Sequence, residues 1–567
     1  MSNLLNKIVN VRNYHHLVFE YDGRDVWDNA FNEAYKKLTE GSILIIPKGE
    51  YEFFGRSVLK NKNNITVFCE GVLKPVASKL KVPLIGTLTI NNCHDCTFHS
   101  LSFDGNKDYV KPTNVLGRQS LVEMNDCSNM VFNSIKFVNT AESCFNSNGN
   151  IKNIEFNDAH IENAGEHGFY FGGSDSNNIR FNNSYCKNIG MNTANLRRNS
   201  AFIKLRNKKE GDTLHDDILI DGFTFISETE AEFDRQLVQA YDTKNVIVRN
   251  GTIKGKDTSI FGGNISIDSV VVDNVDFDGR RIAYAINRNY GWDTTKELPT
   301  IPEISSPGLM NNRILNSIIR IRDNHAYLND IAEYYNCYIY LNNRQLNDSM
   351  SSNLNRMCRF DSCVINTGSG RIDIRKTTDC SFVFTNVIFT GYEYNRGQNI
   401  IHNQSNAKNN YFKTSNTVAE TYLPYLIGVD SDSDVTINNC YLNSGIRTEL
   451  GAKFNNVDIS CSALKNYVIS STTNFDKLNA YKVYDITTGE RKDYITKIVT
   501  IPAGKTSVTV NMYRDRMDEI NDNSIEIITS IDNAVITKTV ENNFVTIEMS
   551  SVQQEDVEIE FIYRAGK

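Results

Sequence analysis

Long apolar runs are missing from this chain: nowhere do 18 apolar residues follow one another, which excludes a membrane-spanning helix. Residues 1–20 contain neither the continuous apolar segment nor the small-residue cleavage site of a secretory signal, so synthesis without export and reduced thiols are expected. A basic excess is missing too. With 60 Lys and Arg against 68 Asp and Glu, a formal charge of −8 and a pI near 5.7, the chain is a poor candidate for binding nucleic acid. Proline (9) and tryptophan (2) are scarce. The 12 cysteines include a single C-x-x-C, Cys93 to Cys96, with no second pair and no histidine pair at zinc-finger distance. Neither a metal nor another cofactor is therefore expected. Cys337, Cys358 and Cys440 fall inside apolar strand patterns, where a small buried residue is the simpler reading.

What is present is bulk and turns. At 567 residues and 64.3 kDa the chain exceeds one ordinary core, so it is either several domains or a repeat. About one residue in eight is Asn, and 33 are Gly, the residues that best tolerate the positive-φ corners of a chain with many tight turns. Near the start, Trp27, Ala30, Phe31, Ala34, Tyr35 and Leu38 share one face of a predicted helix, with Asp25 as its N-cap and Gly41 as its stop. Ser42–Ile46 follows as a buried strand, closed by the turn Pro47-Lys48-Gly49. A parallel stack needs such a unit to cover its first exposed rung.

A repeat follows, and it decides the fold. Short apolar-x-apolar strands ending in Asn, Ser, Asp or Gly recur around Phe98, Phe132, Phe156, Phe181, Ile220, Val248, Val272, Tyr335, Phe360, Phe384, Ile437 and Phe454. Phe132, Phe156 and Phe181 are 24 and 25 residues apart; steps such as Phe181 to Ile220 and Val272 to Tyr335 are longer and carry inserted loops. Period-2 alternation within a 24-residue unit stacks each strand on its predecessor at about 4.8 Å, with like residues in ladders. The units lack the L-x-x-L-x-L-x-x-N signature and helical segment of a leucine-rich repeat. The expected fold class is all-β: a right-handed parallel β-helix with an N-terminal capping helix and a C-terminal antiparallel β domain. The boundaries read as 1–20 for a short leading segment, 21–58 for the cap, 59–465 for the β-helix and 466–567 for the last domain. There, Ile495–Ile501 and Thr506–Met512 read as a hairpin around Pro502-Ala-Gly504, followed by four more strands suited to oligomerisation or glycan binding.

The capping helix D-x-x-x-x-A-x-x-x-A, the strand ending I-x-I-P-K-G-x-Y and the Asn-rich rungs together resemble the pectate-lyase-like superfamily over residues 22–465. With the C-terminal β domain and no export signal, the chain resembles more specifically a bacteriophage tailspike or tail-fibre depolymerase. That resemblance implies a homotrimer in the virion tail, joined to tail or baseplate proteins, that binds and often cleaves a polysaccharide of the bacterial surface. Only about 20 residues precede the cap, where such proteins commonly carry a large anchoring head.

Aligning the strands that begin at Leu121, Phe145, Phe169, Phe202 and Leu237 puts Arg118, Glu142, Glu166, Asn199 and Asp234 in one column, three positions earlier. The segments Asn139-Thr-Ala-Glu142 and Asn163-Ala-Gly-Glu166 are alike, so the first two registers are the firmest. If both point outward, Glu142 and Glu166 stand about one rung apart, matching the ~5–5.5 Å of a retaining glycosidase pair. Glu142 with Asp234 would suit an inverting pair at ~6.5–9.5 Å. The plainer alternative is a solvated acidic face. His167 is placed to orient a carboxylate or to bind sugar hydroxyls. The insertion 190–217 brings Arg197 and Arg198, with Arg206, Lys208 and Lys209, toward the same groove, where they suit an anionic polymer or pair with local acids. A second insertion, 284–312, carries Tyr290 and Trp292, which stack on sugar rings or pin their own loop. Three functions follow: a hydrolase with a carboxylate pair, a lyase acting on a uronate-containing polymer, or a receptor-binding fibre that does not cut. A C5-epimerase of the same fold is a more distant fourth.

Overall fold

A computed structural model describes residues 7–76, 85–107, 120–172, 175–191, 200–205, 215–228, 235–240, 243, 245–262, 269–283, 311–322, 325–327, 333–341, 345–349, 357–368, 371–375, 380–391, 399–403, 409–421, 425–448, 452–464, 475–488, 494–511, 525–527, 529, 531, 534–541 and 544–564. They form two compact units, Met1–Arg344 and Gln345–Lys567.

In the first unit the helix Asp28–Lys37 buries the apolar face read from its spacing; Ala30, Phe31 and Ala34 have no exposed surface. Phe31 lies edge-on to Tyr51 and Phe53, closing the end of the core. Its ends differ from expectation. Trp27, not Asp25, takes the N-cap position, without a side-chain cap. The buried Asp28 carboxylate instead accepts the N–H groups of Phe54 and Gly55 at 2.9 and 2.8 Å, tying the helix to the strand Glu50–Phe53. The helix stops at Leu38, and Gly41 turns the chain three residues later at φ +73°.

Parallel rungs then accumulate in register. Phe98, Phe132, Phe156 and Phe181 pair in succession and their rings stack 4.8–5.0 Å apart, followed in the same inward column by Ile220, Val248, Val272 and Ile314. Thus the 39-residue step to Ile220 is one rung with an insertion. The step after Val272 holds a rung at Ile314, and Tyr334, not Tyr335, faces inward. Corners explain the Asn content. Of the residues at positive φ, most are Asn, including Asn129, Asn153 and Asn178 at 55, 55 and 54°. Their amides form ladders: Asn153 donates to Asn129 at 2.8 Å and Asn178 to Asn153 at 2.9 Å, so each corner satisfies the next.

The second unit has three strands per rung, for example Gln345–Ser349, Met357–Asp361 and Val364–Asn366, each paired in parallel with its successor. The last parallel pair is Ala463–Leu464 with Tyr484–Asp485, so parallel pairing runs past residue 465. Beyond it the strands are antiparallel, and the expected hairpin is not formed. Tyr494–Ile501 pairs with Val557–Arg564, while Ser507–Asn511 pairs with Phe544–Met549 in a separate three-stranded sheet. Val499, Ile501, Ile559 and Phe561 of one sheet pack on Val545, Ile547 and Met549 of the other. Burying apolar side chains from both sheets outweighs local hairpin closure. The fold is a parallel β-helix with an N-terminal capping helix and a C-terminal antiparallel β domain.

Candidate active site

Val122, Phe145, Phe169, Ile203 and Val238 pair in succession across Ser120–Asn133, Ser143–Asn157, Phe169–Phe171, Ser200–Leu205 and Arg235–Ala240. Three positions earlier, the column holds Glu142, Glu166, Ser200 and Arg235. Glu142 and Glu166 are on adjacent rungs, the Glu166 N–H donating to the Glu142 carbonyl at 3.1 Å. The first and the later members differ from the alignment by one residue: Val122, Ile203 and Val238 take the places assigned to Leu121, Phe202 and Leu237, and Ser200 pairs with Arg235. Arg118, Arg197, Arg198, Asn199, Asp234, Tyr290 and Trp292 lie outside the described residues.

Local chemistry accounts for the two-rung stack. Asn139 and Asn163 open both turns in the left-handed region, at φ 53 and 57°. Thr140 donates its hydroxyl to the Glu142 carbonyl at 3.0 Å. Gly165 must be glycine, because a Cβ there would lie 1.9 Å from the Ala141 carbonyl oxygen. The turns nest so closely that Glu142 is only 3% exposed, contrary to the outward placement expected of it. The Glu166 side chain keeps 22% exposure.

Glu166 is held from two sides. Its Oε2 accepts the Ser143 hydroxyl at 3.1 Å and its Oε1 lies 3.4 Å from His167 Nε2. His167 is buried rather than on the surface. Its Nδ1 accepts the Ala201 N–H at 3.1 Å, which assigns the proton of the neutral ring to Nε2, facing Glu166. Burial, then the charge of Lys204, hold this imidazole well below its ordinary pKa, so it is neutral. Lys204 Nζ lies 3.0 Å from Nε2 and 5.4 Å above the Tyr170 ring, which is stacked with His167.

Lys204 and Tyr170 were missed by the spacing argument. They are paired neighbours, flanked by Asn146 and Gln239 in one column. The signal was available: Phe169-Tyr170-Phe171 and Ile203-Lys204-Leu205 each alternate apolar, polar, apolar. Nearby, Arg235 and Asp257 form a buried ion pair at 2.5 Å, with Ser227 Oγ accepting from the same nitrogen at 2.7 Å. Among the described residues no His, Cys, Asp and Glu cluster is arranged to hold a metal.

No family model matches the chain, and no curated protein matches it. The solved structures similar to it include phage tailspikes and pectate-lyase-like β-helix proteins. The tailspike protein of E. coli bacteriophage HK620, solved with a pentasaccharide, is 11% identical; the match covers 100% of this chain and 95% of that one, at a TM-score of 0.36. An exopolygalacturonase from Thermotoga maritima is 13% identical over 80% of this chain and 92% of that one, with a TM-score of 0.32. The surface protein and adhesin PfbA of Streptococcus pneumoniae is 10% identical over 84% and 100%, also at 0.32.

Proposed function

We propose that this protein is a phage tailspike-like depolymerase that binds a bacterial surface polysaccharide along its β-helix and cleaves it by glycoside hydrolysis. The observation that carries the reading is the stacking of Glu142 on Glu166 on adjacent rungs. Rungs lie about 4.8 Å apart, close to the ~5–5.5 Å at which a retaining pair works. Glu166, part-exposed and held by Ser143 and His167, is assigned the nucleophile. Glu142, the buried member on the adjacent rung, is assigned the acid/base partner. His167, Arg118, Asn199, Arg197, Arg198, Tyr290 and Trp292 remain proposed substrate contacts and Asp234 an alternative catalytic partner. The substrate is a capsule, exopolysaccharide or teichoic acid, and the working form is a homotrimer on the virion tail.

One observation favours a second reading. Lys204 Nζ stands 3.0 Å from His167 Nε2 beside Glu166, a cation of the sort that neutralises a uronate carboxylate and so eases loss of the proton α to it. The test incubates the purified protein with a panel of capsular and wall polysaccharides, following chain length and the ultraviolet absorbance of unsaturated ends. Shortening without absorbance, lost by at least ~100-fold in Glu142→Gln and Glu166→Gln while binding persists, supports the hydrolase. Shortening with absorbance, lost in Lys204→Met, makes it a lyase. Binding without shortening leaves a receptor-binding fibre and ends the catalytic proposal.

A further inference from the structure

The outer surface of the second unit carries an apolar stripe that its own fold does not cover. Two residues past each corner, Val364, Ile388, Val418, Tyr441, Ala463 and Tyr484 pair in unbroken succession, one per rung. Six rungs span ~24 Å. Ile388, Tyr441 and Tyr484 are 43, 48 and 45% exposed, among the most exposed large hydrophobic residues of those described, and the other three are half-buried. Strand alternation sends the intervening side chains inward: Ile365, Phe389, Ala419, Leu442 and Leu464 are fully buried. The stripe is therefore surplus to the unit's own core.

We infer that this stripe is the contact face for a second copy of this chain, packed side by side with its rungs parallel. Four observations select that occupant. A copy of the same β-helix has the same rung spacing, so apolar residue meets apolar residue along the whole stripe. The corner beside it, formed by Ser362, Asn386, Asn416, Asn439, Cys461 and Lys482, has one charge in six, and its amides are already engaged in a ladder. Two copies thus meet without a row of like charges, although the chain carries a net charge of −8. Half-exposed Tyr and Ile side chains over six rungs supply a few hundred Å² of apolar surface, about the largest patch a monomer normally shows, and the apolar centre of an interface that needs ~800 Å² per partner. Eleven of the 12 cysteines are buried; the one exposed thiol, Cys461, stands in this corner, where a partner would cover it.

The inference deepens the homotrimer reading by naming its face and owes nothing to catalysis. The test measures the native mass of the full chain and of Tyr441→Asp/Ile388→Asp, with circular dichroism and melting temperature to confirm that the variant folds. In parallel, maleimide labelling of native protein reports whether Cys461 is covered. We expect an oligomeric wild type in which Cys461 is protected from the maleimide, and a folded variant whose mass falls to one copy and whose Cys461 reacts readily. An oligomer that survives the double substitution overturns the stripe but leaves the homotrimer reading. A wild type of one copy overturns both.

Discussion

His167 Nδ1 accepts the Ala201 N–H, Nε2 faces Glu166 Oε1, and almost no water reaches the ring. The imidazole is therefore kept neutral, and the consequence for stability has a definite sign. In the unfolded chain this histidine takes up a proton near its ordinary pKa of 6.5, but the folded chain resists doing so. The stabilisation is complete above that pH and is lost as pH falls from it toward the folded value, by up to about 1.4 kcal/mol per pH unit. His167→Asn is expected to flatten the fall in melting temperature between neutral pH and about pH 5, measured against wild type in the same buffers. A parallel fall in both proteins would assign the acid sensitivity elsewhere. Loss of activity in His167→Asn at constant fold would mark His167 as the residue that orients Glu166, a role it reaches through a 3.4 Å contact rather than by touching the scissile bond.

The element that positions both glutamates is the nested pair of turns, and its tolerance is narrow. Gly165→Ala puts a methyl group into the Ala141 carbonyl, a backbone atom that cannot step aside. Overpacking of this kind is expected to cost about 1–3 kcal/mol and, by lifting one turn off the other, to abolish activity with Glu142 and Glu166 both intact. Thermal melts and the depolymerisation assay read the two effects separately. The Asn ladders obey a different rule. Asn153 sits at φ 55°, donating to Asn129 and accepting from Asn178. Asn153→Ala is expected to cost about 1–2 kcal/mol from the left-handed backbone alone, and Asn153→Gly less, because glycine keeps the conformation and loses only the amide contacts. Equal losses in chemical denaturation would mean that the ladder, not the corner geometry, carries the stability.

For the whole molecule the relevant quantity is charge. A chain of net −8 repels an anionic polymer at distances beyond direct contact, and salt screens that repulsion. If the polysaccharide is acidic, association measured by surface plasmon resonance is expected to speed up as ionic strength rises through about one Debye-length range, from ~30 to ~10 Å. A rate that falls with salt would mean that a local basic surface, such as that around Lys204, dominates encounter. Which polymer is bound then follows from the panel, since the two cases sort acidic from neutral glycans.

The repeat, the inward phenylalanine column and the buried face of the capping helix were legible in sequence because each is a local periodicity: 24 residues per rung, two per strand face, 3.6 per helical turn. Glu142 and Glu166 were legible as rung neighbours for the same reason, since no insertion separates their turns. Where a loop of arbitrary length intervenes, periodicity carries no register across it. A slip of one residue is then invisible in sequence, yet it exchanges the faces of the strand, and so Ser200 and Arg235 occupy positions assigned to Asn199 and Asp234. Tertiary packing alone buried Glu142, set Lys204 against His167, and paired Tyr494–Ile501 with Val557–Arg564 across more than fifty intervening residues. Each of these depends on which distant surfaces can be covered together, a choice made by burial over the whole fold rather than by any neighbouring residue.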